Sequence, residues 1–199
     1  MDWSQLNWRA QIGDPHFMGW ATVLAYAYCA WGSFRLYRNA ARYFSNTQGI
    51  QFNRQRSFWG LMTIAMVLLA INKQLDLQTL LTEVGRLTSK EYDWYHNRRE
   101  VQKAFIVSIA AGSLFIAMAV AYYYRQILAI NKLALAGAAF VIAFVVIRAA
   151  SFHRVDQLIG VDIAGLKINW ILEWLGLTLI AANAHQIKKS NEKLKPPTT

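Results

Sequence analysis

Apolar residues gather in five stretches along the chain, at roughly 16–34, 57–72, 104–124, 133–152 and 168–187. A membrane-spanning helix needs about 20 mostly apolar residues. Each stretch meets or nearly meets that length, and most connections are short. The pattern predicts an all-α integral membrane protein with five spanning helices. Leu133 to Ile147 is an uninterrupted run rich in Ala and Val. Tyr122, Tyr123, Tyr124 and Arg125 close the third stretch with residue types that favour a membrane–water interface. Asn131 and Lys132 open the fourth, and Gly160 and Gly165 bracket the turn into the fifth.

The ends of the stretches carry further signals. Trp3, Leu6 and Trp8 among polar residues read as an interfacial segment. Asp14-Pro15 reads as a helix start, because Asp caps free N–H groups and Pro loses no bond at the first helical position. Leu36, Tyr37, Ala40, Ala41 and Phe44 extend the first helix past Arg35, and Asn46 to Asn53, with Gly49, read as a turn. In the second stretch the helical pattern continues beyond Ala70. Asn72, Asp76, Thr79, Glu83 and Arg86 recur opposite Leu77, Leu80, Leu81, Val84 and Leu87. Thr88 and Glu91 have capping-box spacing and start the next helix near Ser89. Helices 2 and 3 are therefore expected to stand out of the membrane as a hairpin. At 1.5 Å per residue it projects on the order of 20 Å.

Composition and charge set the orientation. The chain is 55% hydrophobic and 14% aromatic, with a formal net charge of +10. The basic residues follow a membrane pattern rather than a nucleic-acid-binding one. Arg35, Arg38, Arg42, Arg54 and Arg56 follow the first stretch without an acid, and Lys188, Lys189, Lys193 and Lys195 lie in the tail. The positive-inside rule puts both on the cytoplasmic side of the inner (plasma) membrane. Five spans then put the N-terminus outside. Residues 1–187 read as one transmembrane domain, and 188–199 as a mobile basic tail. No cleavable signal pattern is visible, so the first span is expected to direct insertion. The single cysteine, Cys29, reads as a small core residue and forms no disulfide within the chain.

Candidate chemistry sits mainly on the outer side. Arg148 and Glu173 lie inside apolar stretches at matching depth, on successive helices, and are expected to pair. Charges inside a span are costly and face a partner or a polar cavity. A helix-locking ion pair and a site where Glu173 takes a cation, proton or substrate group both fit. His153 and Asp156 share a helix face and, with Asp76 and Glu83, extend a candidate polar pocket. His16, His96 and His153 among carboxylates leave a bound metal open, without any HExxH or ExxH motif. A haem would need two histidines facing each other at one depth; His185 has none at its level, whereas His16 and His153 fit a shared outer level. No lysine falls inside a predicted span, which excludes retinal. Nucleophilic hydrolysis has no GxSxG behind it. Trp94, Tyr95, His96, Arg98 and Arg99 combine aromatic and basic groups that suit a partner protein, a phosphate or a lipid headgroup.

The segments INKQLDLQTLLTEVGR, WYHNRREVQ and IRAASFHRVD resemble uncharacterised bacterial polytopic inner-membrane proteins. That resemblance implies a location and no activity. Two function classes follow from the residues. One is a binding or accessory subunit of a membrane complex, acting through the outer hairpin and polar pocket on a protein partner or membrane lipid. The other is a small membrane enzyme or transporter with an outward-open polar cavity. Cofactor and metal content are not legible.

Overall fold

A computed structural model describes residues 17–75, 98–150, 162–163 and 166–193. The expected hairpin tip, with Asp76, Glu83, Trp94, Tyr95 and His96, lies outside the described residues. So do His16, His153, Asp156 and the N-terminal segment. The backbones of Arg98, Arg99 and Arg148 are described, but their side chains are not.

Five long helices form the described chain: α1 (Phe17–Arg38), α3 (Gly49–Leu75), α4 (Arg98–Tyr124), α5 (Leu128–Ala150) and α6 (Ile168–Lys193). A single turn, α2 (Ala40–Tyr43), joins α1 to α3, and a 3₁₀ turn (Arg125–Ile127) joins α4 to α5. Two dipeptide strands precede α6, β1 (Asp162–Ile163) and β2 (Leu166–Lys167), with Asp162 opposite Lys167. The all-α class expected from the pattern stands. Two helical stretches, Gly49–Leu75 and Leu114–Val145, are long and apolar enough to cross a membrane.

Helix directions follow from the contacts. Tyr26 meets Glu173, Cys29 meets the carbonyl of Leu177, and Arg42 meets Asn191, so α1 and α6 run parallel. Gly60 sits under the ring of Tyr37, and Tyr26 and Lys73 share a partner, so α3 runs antiparallel to α1. Gly137 packs on Gly176 and Ile180, which sets α5 antiparallel to α6. The core lies between these four helices and holds Tyr26, Leu36, Phe58, Trp59, Met66, Val141, Leu177 and Ile180. The remaining long helix, α4, joins it through its last turn. There Tyr124 is buried, stacks edge-on against Phe58 and shares a hydrogen bond with Ser57.

Three boundaries differ from the expected ones. The first helix ends at Arg38. Asn39 leaves helical geometry, and its side-chain amide donates to the Arg35 carbonyl, competing with the backbone ladder. The third begins inside the expected turn, at Gly49, whose φ of +57° suits a residue without Cβ. The last helix also passes its expected end at 187. Buried Ile187 and the bond from Asn191 to the Arg42 carbonyl carry it to Lys193, so the start of the basic tail is helical.

The tightest seam joins α5 to α6. A Cβ on Gly137 would lie 2.5 Å from the Gly176 carbonyl oxygen and 2.8 Å from Ile180 Cγ1. A Cβ on Gly176 would lie 2.7 Å from Val141 Cγ2. Backbone faces backbone here, as small residues allow between membrane helices. Gly137→Leu should therefore lose about 3 kcal/mol or fail to assemble. Gly32→Ala, whose Cβ would meet Ala184 at an ordinary 3.8 Å, should be near neutral. Thermal denaturation of both variants in one detergent checks the contrast; equal melting temperatures would mean that α5 and α6 do not approach this closely.

Candidate functional site

Glu173 is the most deeply buried carboxylate among the described residues, 1% exposed. It lies on the inward face of α6, in step with Gly176, Leu177 and Ile180. Burying a charge without partners is prohibitive, and two helices supply partners. Tyr26 of α1 donates its hydroxyl to Oε1 at 3.0 Å, and Lys73 of α3 donates its ammonium to Oε2 at 3.1 Å. The Lys73 side chain is only 11% exposed. Its ammonium also lies 5.9 Å from the centroid of the Phe144 ring on α5, within cation–π range. Four helices thus converge on one ion pair, at the end of the bundle where α3 finishes.

Lys73 is a cation that the described residues place on Glu173; the side chain of Arg148, the expected partner, lies outside the described residues. The hydropathy pattern ends the second stretch at 72, one residue short, so Lys73 counts as lying outside the span. Because α3 continues unbroken to Leu75, Lys73 belongs to the bundle. The ground for excluding retinal, the absence of a lysine within a span, does not hold. Glu173 has the partners that its burial requires.

A second polar cluster lies nearer the other end. Asn131 departs from helical geometry inside α5, with φ −109° and ψ 17°. Its amide donates to Gln55 Oε1 of α3 at 2.7 Å and to the Ile127 carbonyl at 3.0 Å. Asn183 of α6 accepts from the Ala134 N–H at 3.0 Å and donates to the Ile130 carbonyl at 3.1 Å. An unbroken α-helix would bond those two groups to each other. The Asn183 carboxamide therefore stands in for a peptide link at the kink, a recognised cause of helix bending. Asn131, Gln55 and Asn183 are all buried. A single asparagine in an apolar run carries little sequence signal, and none of the three was legible as a site.

The same end carries a ring of stacked arginines. Arg35 lies 4.7 Å from the Trp31 ring centroid, Arg54 5.0 Å from Tyr123 and Arg56 5.1 Å from Tyr37. Arg125 lies 4.5 Å from Tyr122, and Arg42 5.8 Å from Tyr43. Lys132, Lys188 and Lys189 belong to this end as well. Among the described residues no group of three His, Cys, Asp or Glu side chains is placed to hold a metal ion. No protein-family model, curated protein or solved structure matches the chain.

The ion pair makes a quantitative prediction. Lys73→Met alone leaves a buried carboxylate uncompensated and should cost about 3 kcal/mol. Adding Glu173→Gln should recover most of that loss, because the charge that needed a partner is gone. A double-mutant cycle by thermal or denaturant unfolding in detergent measures the coupling; strictly additive losses would show that the two charges do not meet. Asn183→Leu should cost about 2 kcal/mol by orphaning the Ile130 carbonyl and the Ala134 N–H. Unchanged stability of that variant would mean that α5 closes its own ladder.

Proposed function

We propose that this chain is a multi-pass protein of the inner (plasma) membrane, N-terminus outside and C-terminus cytoplasmic, serving as a binding or accessory subunit. One observation carries the membrane reading. Large apolar side chains are exposed along the bundle, among them Leu24 at 67%, Phe115 at 69% and Ile64 at 59%, and the arginine–aromatic ring lies toward one end of that surface. Water would make such a surface costly, whereas hydrocarbon bounded by an aromatic, basic interface accommodates it. The ring then faces the cytoplasm, and the Glu173–Lys73 pair lies toward the outer side.

The accessory role is supported by α4. Leu114, Phe115, Ile116 and Met118 are all exposed. At 100° per residue they span an arc of about 200° around the helix. We take a membrane partner as the complement of that exposed arc. It also leads back to Arg98 and Arg99 and to the expected hairpin with Trp94, Tyr95 and His96. The closed ion pair, with both carboxylate oxygens of Glu173 occupied, fits a lock that holds the bundle in shape beneath that surface. The same pair supports a second reading. A carboxylate, an ammonium and a phenol inside a span are the groups that a transporter or small enzyme would use, with Arg148, His153 and Asp156 completing an outward-open cavity.

The expected outcomes separate the readings. On right-side-out spheroplasts, a membrane-impermeant maleimide should label Ser4→Cys and spare Thr199→Cys. Affinity purification after in-membrane crosslinking should recover a partner from the native chain and lose it with Trp94→Ala or Arg98→Ala. Glu173→Gln should lower the melting temperature yet retain the partner. A Glu173→Gln protein of native stability that abolishes a transport or turnover activity would replace the accessory reading with the second.

A further inference from the structure

The arginine ring is not uniform, because one part of it opens into a cleft. Between α1, α2 and α6 lies a space of about 70 Å³, lined by Tyr28, Trp31, Arg35, Tyr43, His185 and Lys188 among others. Arg35 comes from α1, and His185 and Lys188 come from the facing turns of α6. The parallel register of these helices sets the three at one level. No carboxylate lines the cleft, and the ion pair found among the described residues is the distant one between Lys73 and Glu173. Arg35 is held over the face of Trp31, which fixes its guanidinium and leaves its N–H edge available. The bond from Asn191 to the Arg42 carbonyl ties α2, which carries Tyr43, to α6.

Arg35 and Lys188, held together with no carboxylate in the lining, repel each other unless an anion is supplied, and His185 adds a hydrogen-bonding group. An apolar track also leaves this place along α1. Trp31, Tyr28, Leu24 and Trp20 follow at steps of three and four residues, and all four are exposed. The Tyr28 and Trp31 rings stand 6.3 Å apart at the head of the track. A charged pocket at the ring, continued by an apolar stripe toward the bundle middle, has the shape of one amphiphile.

We infer that this cleft binds the phosphate headgroup of an anionic phospholipid of the cytoplasmic leaflet, with an acyl chain lying along Trp31, Tyr28 and Leu24. Arg35 takes two phosphate oxygens through its planar fork, and Lys188 and His185 donate to the others. The leaflet supplies such lipids at the depth where the ring lies. The inference rests on the membrane placement proposed above, and the lipid occupies one named site rather than the general annulus.

The full chain, extracted in a neutral detergent, is titrated with phosphatidylglycerol or phosphatidylcholine and examined by native mass spectrometry. One phosphatidylglycerol per chain should be retained at least tenfold more tightly than phosphatidylcholine. The double variant Arg35→Gln/Lys188→Gln should lose that preference, on the order of tenfold or more for two cations near a phosphate. The control Arg54→Gln/Arg56→Gln removes as many charges from the same ring, outside the cleft, and should keep it. Near-native melting temperatures for both double variants keep the comparison meaningful. If one melts low, Trp31→Ala with Arg35→Lys replaces it, and intermediate affinity is expected. Equal retention of the two lipids, or equal loss in the control, overturns the inference. Binding of inorganic phosphate alone as tightly as the lipid would also overturn it and make this a soluble-anion site. Spheroplast labelling separates the two failures. An unselective chain with the proposed topology sinks only the lipid site, whereas a chain recovered without membrane sinks the placement beneath it.

Discussion

A carboxylate cannot be buried in an apolar bundle unless the chain brings partners to it, and Glu173 imposes that requirement on three helices at once. Tyr26 and Lys73 must arrive at its two oxygens, so the rotations of α1 and α3 about their axes are fixed relative to α6. Phe144 faces the same ammonium from α5. Dispersion contacts among Leu, Ile and Ala tolerate small slips of register, whereas a carboxylate held by an ion pair to Lys73 and a hydrogen bond from Tyr26 does not. A buried pair of this kind adds little net stability over an apolar replacement, and its best-attested role is to specify one arrangement. Here the arrangement specified is the mutual register of the four core helices.

The rest of the bundle follows from what burial allows. Buried backbone groups must be satisfied within the chain. A kink at Asn131 therefore requires a substitute at the broken link, and Asn183 supplies it from the neighbouring helix. That substitution works only because α5 and α6 lie close together. Gly137 and Gly176 make the approach possible by removing the side chains that would separate the backbones. The glycine seam and the asparagine clasp are thus two parts of one device. The seam brings the helices within reach of a short carboxamide, and the carboxamide repairs the ladder that the kink opens.

Much of the fold was legible because hydrophobic length is a coarse property. The third helix ends at Tyr124, within the aromatic boundary that the sequence marks, and the fifth begins at Ile168 as expected. Boundaries failed where a single side chain decides the matter. Asn39 ends α1 by bonding its own turn, and Asn191 prolongs α6 by bonding a distant carbonyl. The site was half legible for a similar reason. Glu173 stands out against its apolar neighbours, so its burial and its need for a partner could be read. The identity of that partner could not, because Lys73 sits at the end of an apolar run and looks like a boundary residue. Arg148 has the more conspicuous setting, deep in an apolar run. Conspicuousness in one dimension does not report which helix face turns inward, and only the packing of α3 on α1 turns Lys73 toward Glu173.

The two ends of the bundle solve the same electrostatic problem in opposite ways. At the end where α3 finishes one cation meets one anion inside the core, and the charges cancel within the chain. At the other end five arginines rest on aromatic faces, with no carboxylate among those contacts. Stacking orients a guanidinium and shields its apolar faces, but it does not neutralise the charge. Under the membrane placement proposed above, an anionic leaflet surface supplies the counter-charge along the ring. The cleft between α1 and α6 differs from the rest of the ring in depth. Its cations arise on two helices rather than one, so an anion held there touches both. Binding at such a place reinforces the same α1–α6 register that Tyr26 and Glu173 set at the opposite end.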